Sequence, residues 1–210
     1  MKSLFYWYQV MTKPAPMNEF DDYDDYWRKR VHSNKVSPFL PRYKIIADII
    51  PDGASVLDIG CGNGDFIRYL HSVKPQCQIV GADISTTSVE QIKGQGFEGQ
   101  VILPSTPLSE QFDRQFDYVV MMEVIEHVQD AEGLTRHAAK LARKRLFLTL
   151  PNVGFIVHRL RLALFGRFPV TNICCHIKEH IRFWTVTDFA EWANHLGLTL
   201  HKVIPQIGGK

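Results

Sequence analysis

The chain has 210 residues, of which 45% are hydrophobic and 22% charged, with 24 basic against 22 acidic side chains. This length and composition are typical of one globular domain with a sizeable core, and they exclude a disordered chain. Because the formal net charge is only +2, we expect no large basic field and no bulk attraction to nucleic acid or to an anionic membrane, which leaves only a local basic patch open.

The cysteines and the start of the chain indicate the compartment. Residues 4–8 are apolar and aromatic, but this run is too short for a signal peptide, and no stretch of transmembrane length follows. The four cysteines, Cys61, Cys77, Cys174 and Cys175, form no pattern of a disulfide framework. The sequence therefore predicts no membrane span and a cytoplasmic protein.

The first 40 residues combine aromatic side chains with charged clusters. Acidic residues stand at positions 21, 22, 24 and 25, and three basic residues follow Trp27. This pattern suits one or two amphipathic helices, so we predict a helical cap over residues 1–40 and a main domain over residues 41–210. Pro41 suits the first position of a helix that continues to residue 50.

Strand and helix patterns alternate from residue 55 onward. We predict strands at residues 55–59, 78–82, 100–103, 116–122, 145–150 and 198–204, and helices at residues 65–72, 86–93, 132–143 and 186–196. Nearly continuous apolar strands that alternate with helices predict a parallel sheet covered on both faces. The predicted fold class is therefore α/β, with a Rossmann-like, doubly wound, mostly parallel sheet.

The strongest motif follows the first predicted strand, where residues 56–64 read VLDIGCGNG. Gly60, Gly62 and Gly64 let the backbone turn sharply and approach a ligand closely at the carboxyl end of that strand. Their spacing is Gly-x-Gly-x-Gly, not the Gly-x-Gly-x-x-Gly of dinucleotide enzymes. Asp58 would repel a pyrophosphate but favours the ammonium and sulfonium of S-adenosylmethionine, which we therefore predict as the cofactor.

Asp83 follows the second predicted strand, about 20 residues beyond the glycine loop, where a ribose-binding acid is expected. Its carboxylate can accept hydrogen bonds from both ribose hydroxyls. It can also cap the helix that starts near Ser85. Beside the glycine loop, ribose binding is the interpretation we favour.

A family resemblance rests on these motifs. Residues 56–64, Asp83 and residues 116–128, which read FDYVVMMEVIEHV, resemble the strand motifs of class I methyltransferases. Residues 150–154 and 159–171 are similar to MetW-like proteins of methionine biosynthesis, and MEVIEHV is similar to ubiquinone-pathway O-methyltransferases.

The second likeness implies three cofactor contacts: Arg42 at the carboxylate, Gly60 in the loop and Met122 beside the adenosine. A guanidinium suits a carboxylate, although a solvated surface arginine is an equal alternative for Arg42.

Two features depart from the family pattern. Many relatives place an acidic residue after the third strand, but residues 104–107 read PSTP, which leaves that adenine contact in doubt. The class ends in two further strands, whereas residues 205–210 read PQIGGK and are too short for a seventh. We expect either a sheet without the final antiparallel strand or a longer protein. In that place, residues 198–204 or a partner chain would pair with the fifth strand.

Methyl transfer requires mainly that donor and acceptor are aligned and water is excluded, so no catalytic triad is expected. His127, after the fourth predicted strand, is the candidate general base for an acceptor that must lose a proton. Glu123, Glu126 and His127 would share a face if this turn is helical. Together with His180 they resemble the Mg²⁺ ligands of small-RNA 2′-O-methyltransferases. Because the same string occurs in methyltransferases without a metal, we predict no metal.

Two further segments carry weaker signals. Cys174, Cys175 and His176 suggest zinc, but adjacent cysteines suit tetrahedral geometry poorly, so we expect packing or pocket lining. The apolar, basic residues 155–168 can lie on a membrane surface. We favour a lid-like insertion near residues 155–180, which covers the cofactor together with the cap.

The sequence leaves three functions in competition. The leading one is an S-adenosylmethionine-dependent methyltransferase that acts on a small-molecule acceptor. The alternatives are a MetW-like accessory protein, which binds the cofactor without methylating, and a Mg²⁺-dependent RNA 2′-O-methyltransferase. The sequence names neither the acceptor nor the oligomeric state.

Overall fold

The computed structural model describes residues 40–168 and 180–206, together with Tyr8, Met11, Thr12, Asp22, Asp24, Asp25, Trp27 and Arg28. Most of the predicted cap, and residues 169–179 of the predicted insertion, therefore lie outside the described residues. The chain divides into two compact units. The sheet unit comprises residues 20–124, 130–149 and 204–210, and the second unit comprises residues 1–19, 125–129 and 150–203.

The sheet unit is built on five strands, and every pair of neighbouring strands is parallel. The strands are β1 (Ser55–Ile59), β2 (Gln78–Asp83), β3 (Glu98–Val101), β4 (Phe116–Met122) and β5 (Ala142–Thr149). The helices are α1 (Pro41–Ile49), α2 (Asp65–Val73), α3 (Thr86–Gly94) and α4 (Ala131–Leu141). The strand order β3-β2-β1-β4-β5 confirms the predicted doubly wound fold. Because this order reverses at β1, the carboxyl ends of β1 and β4 mark the crevice where such sheets bind ligands.

The second unit contains two helices, α5 (Ile156–Phe165) and α6 (Val186–His195), and a 3-10 turn at Ile125–His127. Asn152 forms a parallel β-bridge with Trp184. Thr185 caps α6 through a reciprocal pair of hydrogen bonds with Asp188. Among the described residues, no helix of either unit is long and apolar enough to cross a membrane.

Most predicted elements lie where the sequence placed them. β1 and β4 have the predicted bounds, and β3 begins and ends two residues earlier than expected. The prediction of a strand at residues 198–204 is wrong, because the described residues 198–206 form no strand. Alternation holds only for Leu198 and Leu200, whereas Val203 and Ile204 break the period of two, so no single face is buried. In the part of the chain that the structure describes, β5 therefore ends the sheet.

Ile92 holds α3 closely against the sheet. Its side chain is fully buried, and a Cβ built on Gly99 of β3 would lie 2.9 Å from its Cδ1 atom. A Cβ on Gly81 of β2 would overlap the same atom and also approach Ile67 of α2. The glycines of β2 and β3 thus allow close packing of the helices beside the glycine loop.

Candidate functional site

The glycine loop turns at the carboxyl end of β1 and leads into α2. Gly60 and Gly62 have φ values of 70° and 53°, in the left-handed region that residues with a Cβ atom rarely adopt. Gly64, the N-cap of α2, is also left-handed, and its N–H donates to the carbonyl of Cys61 at 2.9 Å. The loop is tied to β2, because the N–H of Gly60 donates to the carbonyl of Ala82 at 2.7 Å.

Asp83 organises the loop from the end of β2. Its side chain is 5% exposed, Oδ2 accepts the N–H of Gly62 at 2.9 Å, and Oδ1 accepts the N–H of Ser85 at 2.9 Å. Burial raises the pKa of Asp83, although these backbone hydrogen bonds oppose the rise. Ser85 itself is the N-cap of α3 and accepts the N–H of Ser88. Asp83 therefore connects the glycine loop to the start of α3.

Asp58 of β1 is a second buried carboxyl group in this region. Its side chain is 2% exposed, and burial raises its pKa well above the ordinary value, with a further contribution from the charge of Asp83. Burial disfavours the ionised forms of Asp58 and Asp83, and a nearby positive charge would stabilise them. A cationic ligand beside the loop would supply that charge.

Arg42 and Glu123 form a third part of the site, beside Met122 at the end of β4. The Nη1 atom of Arg42 lies 4.0 Å from Oε1 of Glu123, and both side chains are about one quarter exposed. Arg42 Nε is buried and has no hydrogen-bond partner among the described residues. An unsatisfied buried donor is costly, so this atom suits an anionic ligand group.

Glu123 adopts an unusual backbone conformation, with φ of 54°. Its N–H donates to the carbonyl of Thr149 at 2.9 Å, and its Oε1 accepts the hydroxyl of Thr149 at 3.0 Å. These two bonds hold a conformation that costs about 1–3 kcal/mol for a residue with a side chain. The prediction that Glu123 shares one helical face with Glu126 and His127 is wrong. Glu123 precedes the 3-10 turn and has a left-handed backbone conformation. Sequence reasoning did not find Thr149.

A separate cluster lies in the second unit. Possible ligand atoms of Glu126, His127 and His180 all lie within 4.8 Å of one another. The two imidazole rings meet edge to face, with centroids 4.5 Å apart. The carbonyl of Glu126 accepts the N–H of Ile181 at 2.9 Å, which joins residues distant in the chain. Burial lowers the pKa of His180 to about 4, and His127 contributes to the shift.

The remaining predicted positions are partly outside the structure. Cys174, Cys175 and His176, the possible zinc ligands, lie outside the described residues. α5 lies within the predicted lid. Arg161 of this helix is buried, whereas Leu160 and Leu164 are exposed. The lid itself stays a prediction.

A methyltransferase-domain family matches residues 26–203, and the chain belongs to that family. It is 30% identical over 119 residues to a ubiquinone biosynthesis O-methyltransferase of Mesorhizobium japonicum, covering 55% of this chain and 47% of the relative. It is 23% identical over 195 residues to the bifunctional methionine biosynthesis protein MetXA/MetW of Rhodopirellula baltica, covering 84% of this chain and 31% of the relative. The chain therefore spans half or less of these two relatives.

Other relatives match over more of their length. A ubiquinone biosynthesis O-methyltransferase of Chromobacterium violaceum is 26% identical over 168 residues, which cover 77% of this chain and 69% of that protein. Two solved structures share the fold. A methyltransferase from Thermotoga maritima aligns with a TM-score of 0.58 and 16% identity over 83% of this chain and 79% of its own. A TehB-like methyltransferase from Corynebacterium glutamicum aligns with a TM-score of 0.53 and 19% identity over 83% and 80%.

The doubly wound sheet and the glycine loop agree with the family match, so the chain contains a methyltransferase domain of the class I, S-adenosylmethionine-dependent type. The resemblance to ubiquinone-pathway and MetW-like proteins that the motifs predicted is confirmed.

Proposed function

We propose that this protein binds S-adenosylmethionine at the carboxyl ends of β1, β2 and β4 and transfers its methyl group to a hydroxyl oxygen of a small aromatic molecule. The observation that carries the cofactor site is Arg42 Nε, a buried donor without a described partner, in the same unit as two buried carboxyl groups. An amino acid needs both kinds of partner, an anion for its ammonium and a cation for its carboxylate.

Each residue of the site has a proposed role. Gly60, Gly62 and Gly64 offer close approach of the backbone, and Asp83 accepts hydrogen bonds from the ribose. Arg42 binds the carboxylate, and Met122 lines the adenosine pocket. Asp58, being fully buried, acts through its charge rather than by direct contact. When bound, the cofactor would supply a methyl group on a positively charged sulfur. As the acceptor oxygen bonded the methyl carbon, the carbon–sulfur bond would break and the sulfur would leave as a neutral thioether.

His127 is the proposed general base. A hydroxyl acceptor must lose its proton as the new bond forms, and an imidazole is suited to remove it near neutral pH. His127 follows the last residue of β4 by five positions in the chain. The relatives named for ubiquinone biosynthesis support a hydroxyl on an aromatic ring as the acceptor class.

The test uses S-adenosylmethionine with a radiolabelled methyl group and catechol as the probe acceptor. We expect labelled product with the wild-type protein and at least about 100-fold less with His127→Gln, because a positioned base contributes this much. His71→Gln, which changes an exposed histidine of α2, is the matched control and should keep full activity. Binding of S-adenosylmethionine without transfer to any hydroxylated aromatic compound would instead favour the MetW-like accessory role.

A second candidate function rests on the cluster of Glu126, His127 and His180. One carboxylate and two imidazoles can bind a divalent cation, and the low pKa of His180 keeps that imidazole neutral, as a ligand must be. This arrangement supports a metal-dependent RNA 2′-O-methyltransferase, and its two imidazoles suit an ion such as Mn²⁺ better than Mg²⁺, which prefers oxygen ligands.

Electron paramagnetic resonance with Mn²⁺ tests the cation site directly. One bound ion in the wild-type protein that is lost in His180→Ala, together with EDTA-sensitive labelling of a short single-stranded RNA, would support this second function. No bound Mn²⁺ and labelling of catechol alone would exclude it.

A further inference from the structure

A short part of the N-terminal segment contacts the sheet unit at the start of α3. The carboxylate of Asp24 accepts hydrogen bonds from the hydroxyl of Ser85, from the hydroxyl of Thr86 at 3.1 Å and from the N–H of Thr87 at 3.2 Å. These bonds lower the pKa of Asp24, with the Ser85 hydroxyl making the largest contribution. An ionised Asp24 at a helix N-terminus is favoured by the helix dipole and by these donors.

Trp27 of the same segment contacts the glycine loop. A Cβ built on Gly62 would overlap the six-membered ring of Trp27, so the indole lies directly on the backbone of that glycine. Asp24 and Trp27 are three residues apart and both are helical, which places their side chains on one face of the turn. The carboxylate of Asp22 supports this turn by accepting the N–H of Asp25 at 2.7 Å.

The two contact points are joined by Asp83. Its carboxylate accepts the N–H of Gly62, on which Trp27 lies, and the N–H of Ser85, to which Asp24 is bonded. The segment thus spans the two strand ends between which Asp83 is buried, and Asp83 is the residue proposed to bind the ribose. A ligand that binds Asp83 would therefore lie close to Asp24 and Trp27.

We propose that Trp27 is a wall of the cofactor pocket and that Asp24 is the positioning residue that fastens it there. Bound S-adenosylmethionine would lie against the indole, so the Asp24 contacts set how fast the cofactor and its demethylated product leave. This inference rests on the proposed cofactor site at Asp83. It deepens that proposal by assigning one wall of the pocket.

Thr86 allows the contact to be isolated, because its hydroxyl bonds Asp24 while Ser85 also caps α3. The experiment compares wild type, Asp24→Ala, Thr86→Val and the double variant. Each protein is loaded with labelled S-adenosylhomocysteine, and its dissociation is timed after an excess of unlabelled compound is added. Asp48→Ala, which removes an exposed carboxylate of α1 paired with Lys44, is the control.

We expect Asp24→Ala to release the label at least about tenfold faster, since it loses three bonds to a charged acceptor. Thr86→Val should have a smaller effect in wild type and none in the Asp24→Ala background. Trp27→Ala should also accelerate release, and Trp27→Phe should restore most of the slow rate. Thermal unfolding of both Trp27 variants checks that they fold like the wild-type protein.

Unchanged dissociation rates in Asp24→Ala and Trp27→Ala would overturn the proposal. Slower release or tighter binding in these variants would also overturn the proposal, because the indole would then obstruct the cofactor site rather than form a wall of it. Failure of the proposed cofactor site has a different signature: the wild-type protein would bind no S-adenosylhomocysteine, or binding would be insensitive to Asp83.

Discussion

Asp83→Asn separates the two roles of this carboxylate, which holds the loop and is proposed to bind the ribose. An amide has one acceptor oxygen, so one of the two N–H groups now bonded to Asp83, from Gly62 or Ser85, loses its acceptor. A buried N–H without a partner costs about 1–3 kcal/mol of folding free energy. That loss leaves the protein folded if its stability is typical, because domains have about 5–15 kcal/mol.

Cofactor binding should fall further than stability alone predicts. Losing charge-assisted hydrogen bonds to the ribose weakens binding by about 1.5–3 kcal/mol, or about 10- to 150-fold in Kd. Calorimetric titration with S-adenosylmethionine and S-adenosylhomocysteine measures this change, and thermal unfolding measures the cost to the fold. Both ligands carry the ribose, so both affinities should fall by similar factors.

Asp52→Asn is a matched control for this experiment. Asp52 also accepts two backbone N–H groups, from Gly53 at 3.1 Å and Gln76 at 2.9 Å, but it precedes β1 at the amino end of the sheet. Both N–H groups bond the same oxygen, Oδ1, of this exposed residue, so the amide oxygen of Asn can keep both bonds. The substitution should therefore change neither the unfolding temperature nor the cofactor affinity appreciably. A folded Asp83→Asn protein that binds both ligands as tightly as wild type would refute the ribose assignment.

Three further predictions follow from the same region. Arg42→Ala should weaken S-adenosylmethionine binding by about 1.5–3 kcal/mol but leave 5′-methylthioadenosine, which lacks the carboxylate, unaffected; equal losses for both ligands in calorimetry would contradict the assigned contact. Burial raises the pKa values of Asp58 and Asp83, so binding of the cationic cofactor, which favours their ionised forms, should release protons from these two groups. Cofactor affinity should therefore fall as the pH drops through the raised pKa values of the free protein. Titrations in buffers of different ionisation enthalpy count the protons, and Asp58→Asn should reduce the count. Ile92→Ala should cost about 2–5 kcal/mol in denaturant unfolding, and Ile92→Val should partly relieve the overlap that Gly81→Ala creates; no rescue in the double variant would show that the contact is not limiting.

The sheet could be predicted from the sequence because its elements are locally determined. β1 and β4 are apolar runs bounded by turn residues, and the glycines after β1 permit the left-handed backbone of that turn. The helix starts agree to within one residue, and the N-cap residues Ser85 and Asp130 precede α3 and α4. The end of α4 was predicted two residues too late, because residues 142 and 143 belong to β5. The predicted strand at residues 198–204 is wrong because apolar and polar residues alternate there only over the first few positions, which is too few to define a strand face.

The site was less predictable where it depends on contacts between distant residues. Glu123 and Thr149 are 26 positions apart, and their bonding follows from the pairing of β4 with β5 rather than from either residue's neighbours. Asp24 stood out in the sequence only as one of several acids, and its partners Ser85 and Thr86 lie more than 60 positions away. Spacing identifies a motif, but only the folded chain shows which of several like-charged residues is used.

β5, the last strand of the sheet among the described residues, carries three consecutive basic residues after Ala142: Arg143, Lys144 and Arg145, all of them exposed. The second half of the strand, which reads LFLT, is apolar and would pair readily with a strand of another molecule. Positive charges on an open edge oppose such pairing, because two copies would have to bring their cations together. In the described part of the chain, the basic run thus opposes pairing of β5 between two copies, even though Asp117 lies beside Arg143 and Lys144.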